Sequence, residues 1–389
     1  MKIVVITGEE SGDKLAASAI KELKKILNEP LKIFGIGGRA LEKEGIQKFF
    51  DISEINVMGL IEVIPKIFKI NRIIKSVVNQ IIDLDPDIIF TVDSPDFTLR
   101  IAERIKKRNN KLKILHYVAP SVWAWRPGRV HTVKKSVDHL LTILPFEKKI
   151  FEKYEVPTTF VGHPITEINI ENFKKNQITE GDREVFLILP GSRKKEVVSL
   201  LPIYLEVIRA MKLDDKYELV MPLTKEMTFY VKDILSQFGL QNRIKIILDE
   251  HVKYSYYYHA KLGIVTSGTA ALEVSYFNTP YVTAYKFNPV TYFILQFLIK
   301  TRMGNLINII QGKFIIPELL QSKSNKDNIM YYLKKFLDDN DYLQEVLSNA
   351  SEATAKLKSQ STPSIMAAEE RIMNTIASKS IAIKITPPI

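Results

Sequence analysis

The chain has 389 residues, enough for two ordinary domains, and its 46% hydrophobic and 25% charged content is an average globular balance. It has no cysteine, which excludes disulfides and thiolate metal sites and fits a reducing compartment. The formal net charge of +11 suits nucleic acid, anionic lipid or phosphorylated substrates, although a lysine-rich composition gives ordinary proteins the same balance. No zinc-finger spacing or RRM signature accompanies it, which counts against nucleic acid.

Residues 2–6 form an apolar strand too short for a signal peptide and followed at once by acidic residues. The strand runs into Gly8-Glu9-Glu10-Ser11-Gly12-Asp13 and then a helical pattern to about Leu27. Strand, glycine-rich turn and helix open a Rossmann-like half. Three acids crowd this turn and the spacing is not GxGxxG, so sugar hydroxyls or an uncharged acceptor group suit it better than phosphate. The alternative is a tight turn with Ser11 or Asp13 as helix cap. A second strand spans residues 32–36.

Residues 55–83 are mostly helical, with Ile61, Val63, Ile64, Ile67 and Phe68 interleaved with Lys66, Lys69, Arg72 and Lys75. Such a stripe either lies on an anionic membrane or is a core-facing helix with solvated lysines. The longest uncharged stretch, Phe287 to Ile299, has thirteen residues, short of the roughly 18–20 that span a bilayer.

Ile88 to Val92 reads as a buried parallel strand that delivers Asp93 and Asp96 to its carboxyl end, with Pro95 stiffening the turn and a helix over 97–109. Ligands in open α/β sheets sit beyond the carboxyl ends of strands. Either these acids face a substrate, or Asp96 caps the next helix and Asp93 holds the turn. A strand over 113–118 leads into a loop holding both tryptophans, Trp123 and Trp125, with Arg126 and Arg129 at the start of a helix. Cations there oppose the helix dipole, which points to anion contact. Strands over 138–144 and 158–161 bring the first half to six strands and an end near residue 165.

A polar linker over 167–184 precedes a second α/β series with strands at 185–189 and near 218–222, 244–248, 261–266 and 280–285. Two of its turns carry chemistry. Gly191-Ser192-Arg193 offers amides, a hydroxyl and a guanidinium that suit a diphosphate. Ser267-Gly268-Thr269-Ala270 opens another helix, and Glu273 in its second turn can accept from ribose hydroxyls. The alternative is two ordinary capped helices. Residues 324–377 are helical, and the tail from Ser378 is expected to fray. No HExxH, Walker lysine or GxSxG motif is present.

Taken in order, Gly8–Asp13, Val57-Met58-Gly59, Asp93-Ser94-Pro95-Asp96-Phe97, His116-Tyr117-Val118, Ser121-Val122-Trp123-Ala124-Trp125-Arg126, Leu144-Pro145-Phe146-Glu147, Gly162-His163-Pro164, Leu189–Arg193 with Glu196, and Ser267–Glu273 resemble the lipid-A-disaccharide synthase family. The match runs from residue 3 to about 321; Glu10, Ser94 and Ile307 depart from its pattern. The resemblance implies a GT-B glycosyltransferase, with two Rossmann-like domains facing across a cleft and C-terminal helices returning to the first. It implies an inverting transfer of 2,3-diacylglucosamine from UDP to the 6-hydroxyl of 2,3-diacylglucosamine 1-phosphate. The products are the β-1,6-linked disaccharide 1-phosphate and UDP.

The expected domains are 1–167, facing acceptor and membrane, 168–355, holding the UDP-sugar, and a returning segment 356–389. Asp93 is the expected base, with Asp96 the cap that holds it, and Arg193 neutralises departing UDP. The UDP set is Gly191, Ser192, Arg193, Ser267, Gly268, Thr269, Ala270, Glu273 and, through the family match, Asn308. The acceptor and cleft set is Gly8, Glu9, Ser11, Gly12, Asp96, Trp123, Trp125, Arg126 and Arg129, and the acyl or membrane set is Ile61, Val63, Ile64, Ile67 and Phe68. No metal or other cofactor is expected. The expected state is a peripheral monomer or homodimer on the cytoplasmic side of the bacterial inner membrane, touching anionic lipid and no nucleic acid. Competing readings are another UDP-sugar enzyme of this fold, such as UDP-N-acetylglucosamine 2-epimerase or the peptidoglycan glycosyltransferase, and a non-enzymatic basic membrane or nucleic-acid binder.

Overall fold

The computed structural model describes residues 1–27, 29–55, 63–174, 183–287, 303–368 and 372; the side chains of 63–67 are outside that description. The chain forms two α/β units, Met1–Glu167 with the segment from Leu357 onward, and Ile168–Lys356.

Unit 1 runs β1 (Lys2–Thr7), α1 (Glu10–Ile26), β2 (Lys32–Gly37), α2 (Arg39–Lys43), β3 (Gln47–Asp51), α3 (Val63–Leu84), β4 (Ile88–Val92), α4 (Pro95–Arg108), β5 (Ile114–Tyr117), α5 (Arg129–Ser136), β6 (His139–Thr142), α6 (Glu147–Glu152) and β7 (Thr158–Phe160). The strands pair in parallel in the order β3-β2-β1-β4-β5-β6-β7. Near-continuous apolar strands suit a sheet covered on both faces. Val4, Ile6 and Ile89 point to one face, beneath Ile73, Ile74, Val77 and Ile81 of α3 and Ile101, Ala102 and Ile105 of α4. Ile3, Val5, Ile88 and Phe90 point to the other, beneath α1 and the C-terminal Met366, Ala367, Ala368 and Ile372. Ser359 Oγ donates to the Val161 carbonyl at 2.6 Å and the Ser364 amide to Glu167 at 2.7 Å, tying the C-terminal segment to this unit.

The sheet has seven strands where the sequence pattern gives six. The additional strand, β3, lies at the edge, is only half-buried, and carries Lys48 paired with Glu42 and Asp51, so it has no apolar run to read. Helix α4 begins at Pro95, two residues earlier than the pattern suggests, because proline is pre-set for the first helical turn.

Unit 2 runs β8 (Val185–Leu189), α7 (Lys194–Met211), α8 (Leu213–Lys216), β9 (Glu218–Pro222), α9 (Thr228–Gln237), β10 (Ile244–Ile247), α10 (Glu250–His259), β11 (Ala260–Thr266), α11 (Thr269–Tyr276) and β12 (Tyr281–Tyr285). Helix Leu306–Gln311, β13 (Glu318–Leu320) and helices Lys326–Asp338 and Asn340–Ala355 complete it. The parallel order is β10-β9-β8-β11-β12-β13. The three-residue β13 is too short to show in the sequence. Part of the polar 167–184 stretch belongs to this unit: the Phe173 ring meets Tyr254 and Phe277 with centroids 5.8 and 5.7 Å away. Residues 288–302 and the tail from Ser378 lie outside the described residues. Among the described residues, no helix is long and apolar enough to cross a membrane.

Strand β2 passes β1 with no room for a side chain at Gly35, where φ is +137° and a Cβ would lie 1.8 Å from the Val5 carbonyl oxygen. The β2–β3 register also shifts there. Gly35→Ala is expected to cost unit 1 roughly 3–6 kcal/mol through backbone strain and overpacking. Urea denaturation checks this; a loss under about 1 kcal/mol would contradict the close approach.

Candidate active site

In each sheet the connections reverse direction once, between β1 and β4 and between β8 and β11. Ligands of open α/β sheets bind beyond the strand ends at such switch points. The turns after these strands are the ones the sequence singles out: 8–13 and 93–97 in unit 1, 190–193 and 267–270 in unit 2.

In unit 1 the two turns abut. A Cβ on Gly8 would sit 2.5 Å from Ser94 Cβ, and one on Gly12 would be 3.2 Å from the Val92 carbonyl and 3.5 Å from Asp93 Cβ. Asp93 and Ser94 both adopt left-handed backbone, with φ of 53° and 45°. Such conformations cost of order 1–3 kcal/mol each and cluster at functional sites. The half-buried Asp93 carboxylate accepts from the Ser94 amide at 2.7 Å and from the Ser11 side chain. Burial raises its pKa from the ordinary aspartate value, against the opposing pull of those two donors. Thr98 Oγ1 holds the turn from behind, donating to the Asp93 carbonyl at 2.7 Å.

One capping expectation, Asp96, is corrected, and the alternative of Asp13 as a helix cap does not hold. Asp13 does not cap its own helix: its buried carboxylate accepts from the amides of Gly38 (2.6 Å) and Ala40 (2.8 Å), at the start of α2. Asp96 does not cap α4 either. Ser94 occupies the N-cap position, and starting the helix at Pro95 places Asp96 within the first turn, its carboxylate exposed. It pairs with Arg129 and, at 3.5 Å, with Arg126. Both guanidinium groups lie over Trp125, at 4.3 Å for Arg126 and 5.2 Å for Arg129. Glu9 is exposed at the N-cap position of α1.

Trp123 turns elsewhere. Its Nε1 donates to Glu147 at 3.1 Å, and its ring meets Phe146 edge-on with centroids 5.2 Å apart. Glu147 is buried, also accepts from the Leu144 amide at 3.1 Å, and is pushed up to about 7 by burial.

In unit 2 the anion site expected at residues 191–193 is partly filled by the protein itself. Buried Glu196 accepts from the amides of Ser192 (3.1 Å) and Arg193 (3.2 Å), so the Ser192 amide is not free for a diphosphate as the motif suggests. Its other oxygen receives the Tyr285 hydroxyl at 3.2 Å and Arg193 Nη1 at 3.4 Å. The Ser192 side chain and the Arg193 guanidinium, 78% exposed, remain accessible. At the second turn, Ser267 Oγ donates to the Gly304 carbonyl at 2.9 Å, while Gly268 and Thr269 are exposed at the start of α11 beside half-buried Ala270. Glu273 is held by Lys253 Nζ at 3.2 and 2.9 Å from its two oxygens.

Asn308 is corrected from a contact residue to a supporting one. It is fully buried; its oxygen accepts from the Ile315 and Ile316 amides, and its nitrogen donates to the Ile316 carbonyl and Glu318. Glu318 also accepts from the Gly304 and Asn305 amides, fixing the segment that Ser267 meets. Of these partners, Glu196 stands in a quoted motif without an assigned role. Lys253, Tyr285 and Glu318 have no sequence signal, because their partners are 20, 89 and 14 residues away.

Of the membrane set, Phe68 is 71% exposed; Ile61 and the side chains of Val63, Ile64 and Ile67 lie outside the described residues. Among the described residues no group of three His, Asp or Glu side chains could hold a metal ion.

Glu147 makes stability depend on pH. Its folded-state pKa of about 7 exceeds the ordinary 4.5, so the folded state binds more protons than the unfolded state between those values. Stability from this group is therefore lost as pH rises from 4.5 to about 7, by roughly 3 kcal/mol. Glu147→Gln does not titrate, so its stability relative to the parent should improve between pH 5 and pH 8. Denaturation at the two pH values, followed by tryptophan fluorescence, measures this; a pH-independent difference would exclude Glu147 as the titrating group.

The family model for lipid-A-disaccharide synthetase matches residues 3–374. Curated lipid-A-disaccharide synthases resemble the chain throughout: that of Rhodospirillum centenum is 31% identical over 388 residues, covering 98% of this chain and 96% of its own. Those of Idiomarina loihiensis and Rickettsia bellii are 36% and 38% identical, covering 90% and 86% of this chain and 93% and 88% of their own. Among solved structures, the S. aureus MnaA–UDP structure aligns with a TM-score of 0.66 at 16% identity, covering 99% of this chain and 98% of that one. The UDP-GlcNAc 2-epimerase of Neisseria meningitidis, solved with UDP-GlcNAc, aligns at 0.60 and 14%, covering 91% and 98%. At these identities the structural likeness establishes the fold, two parallel sheets flanked by helices, and the sequence match establishes the family: the chain belongs to the lipid-A-disaccharide synthetases.

Proposed function

We propose that this protein is an inverting glycosyltransferase of lipid A biosynthesis. It transfers 2,3-diacylglucosamine from UDP to the 6-hydroxyl of 2,3-diacylglucosamine 1-phosphate, forming the β-1,6-linked disaccharide 1-phosphate and releasing UDP. The observation that carries the reading is the family match over residues 3–374. The strained, half-buried carboxylate of Asp93 at the β1/β4 switch point supports it independently.

The chemistry follows from the two sites. The acceptor 6-oxygen attacks the anomeric carbon as the bond to UDP breaks on the opposite side. Asp93 takes the proton from the attacking hydroxyl, and a carboxylate with a raised proton affinity is a better base for that task. The Ser11 and Ser94 donors aim its oxygens. Charge develops on the departing diphosphate, where the exposed Arg193 guanidinium and the N-terminus of α11 neutralise it without a metal ion. Glu196 and Asn308 shape that site from beneath; Gly191, Ser192, Ser267, Gly268, Thr269 and Ala270 line it, and Glu273 with Lys253 borders it. Gly8, Glu9, Ser11 and Gly12 surround the acceptor sugar, and the Trp125–Arg126–Arg129 cluster lies to one side. Unit 1 rests peripherally on the cytoplasmic face of the inner membrane through α3, as a monomer or homodimer. An epimerase of the same fold fits less well, since the matching curated relatives carry the synthase name.

Purified protein supplied with both diacylated sugars should release UDP together with a disaccharide product, detected by coupled assay and mass spectrometry. UDP release with neither disaccharide nor acceptor dependence would contradict the reading. Asp93→Asn should lower kcat by 10²–10⁴-fold. UDP affinity should remain within about twofold, because the nucleotide turns belong to unit 2. Near-parental turnover would remove Asp93 from the base role.

A further inference from the structure

The loop between β5 and α5 gathers charge beside the candidate base. Arg126 and Arg129 both reach the exposed carboxylate of Asp96, and both guanidinium groups lie over the Trp125 ring. Among the described residues Asp96 is the carboxylate paired with either arginine, so one negative charge faces two positive ones. A guanidinium carries several N–H groups in a rigid plane, and an aromatic face holds that plane without using them. Each arginine gives one nitrogen to Asp96, which leaves the others for a further acceptor.

A brace for the loop does not account for this cluster. An exposed ion pair adds little to stability, and one cation suffices to make it. Arg126 is 54% exposed, and its backbone is left-handed, with φ of 50°, just before Pro127. Non-glycine residues in that region are strained and concentrate at ligand clamps. Arg129 is the first residue of α5, whose first turn holds no acid, so the helix dipole opposes its charge. A Cβ placed on Gly128 would meet no atom within 4 Å, so the surface between the two arginines is open. Surplus positive charge, fixed guanidinium planes and open space suit a phosphate, whose oxygens match the fork of an arginine.

Position selects which phosphate. Asp96 is three residues from Asp93 on the turn after β4, and the amides of Phe97 and Thr98 close that turn on the Ser94 carbonyl at 2.9 and 3.0 Å. The cluster therefore lies one tight turn from the candidate base. In a hexose 1-phosphate, the hydroxymethyl group bearing the 6-hydroxyl and the phosphate are attached to the two carbons that flank the ring oxygen. A sugar whose 6-hydroxyl faces Asp93 thus carries its 1-phosphate within one ring's width of that residue.

We propose that Arg126 and Arg129, stacked on Trp125, bind the 1-phosphate of the acceptor and set the preference for a phosphorylated acceptor. The assignment rests on the glycosyltransferase reading above and names the acceptor group that this cluster recognises. Asp96 fixes the guanidinium groups. A phosphate monoester, with about 1.5–2 negative charges at neutral pH, outcompetes that single carboxylate for their N–H groups.

The test gives the full chain two acceptors dispersed in detergent, 2,3-diacylglucosamine 1-phosphate and the same sugar without its phosphate. The preference, taken as the ratio of the two kcat/KM values, should fall on the order of 100-fold in combined Arg126→Gln and Arg129→Gln. The loss should appear in the acceptor KM, while the donor KM stays within about threefold. Arg126→Gln alone, at an exposed side chain, should lower the preference roughly tenfold, so the test survives if the double variant fails to fold. A parent without preference, an unchanged preference in the single variant, or equal losses on both acceptors overturns the proposal. Glucosamine 1-phosphate, titrated against tryptophan fluorescence, should bind the parent roughly tenfold more tightly than Arg126→Gln, and equal binding overturns the site as well. If glucosamine 1-phosphate binds in this way but the parent makes no disaccharide, the glycosyltransferase reading fails and the phosphate site stands. If disaccharide forms and the preference survives substitution, the site fails and that reading stands.

Discussion

The candidate site in unit 1 depends on the approach of the turn after β1 to the turn after β4. Parallel pairing of Ile3–Thr7 with Ile88–Val92 sets the two strand ends level. Gly8 and Gly12, without side chains, leave room for Ser94 and Asp93. The left-handed backbone at Asp93 and Ser94 is held by this abutment, by the Ser94 amide on the Asp93 carboxylate, and by Thr98 from behind. A carboxylate fixed in this way has its orientation set by the fold itself.

Both units use carboxylates to settle backbone N–H groups that a turn or helix start leaves open. Asp13 does so for α2, Glu196 for the first turn of α7, and Glu318 for the segment at 304–305. Asp13 and Glu318 fix the start of another element, and Glu196 reaches back to the residues that lead into its own helix. This is why the turn at 191–193 presents a side-chain guanidinium to solvent while two of its amides face inward. The arginine cluster of unit 1 follows the same logic with the signs exchanged, since Asp96 balances Arg126 and Arg129 around the Trp125 ring.

The two faces of the unit 1 sheet differ in what covers them. One is closed by α1 and the returning C-terminal segment, whose Met366, Ala367 and Ala368 are core residues. The other is closed by α3 and α4, whose inner sides are aliphatic and whose outer sides are basic. A helix pair with that division stabilises the sheet and keeps its charge for the outside.

The sequence alone determined the α/β class, the alternation of strands and helices in two series, and the motifs that identify the family, because these are local patterns of apolar runs, turn residues and spacing. It also placed the candidate residues on the turns after β1, β4, β8 and β11, since strand ends are readable where the apolar run stops. Tertiary structure decided the rest. Strands β3 and β13 lie at sheet edges, one only half-buried and mixed with charge and the other only three residues long. Asp96 and Asp13 look like caps of their own helices, yet each meets a partner at least 25 residues away. Asn308 and Glu196 sit in motifs as if to touch a ligand, and their hydrogen bonds are spent on the protein. A side chain's residue type states what it can bond to; only the folded chain states which partner comes within reach.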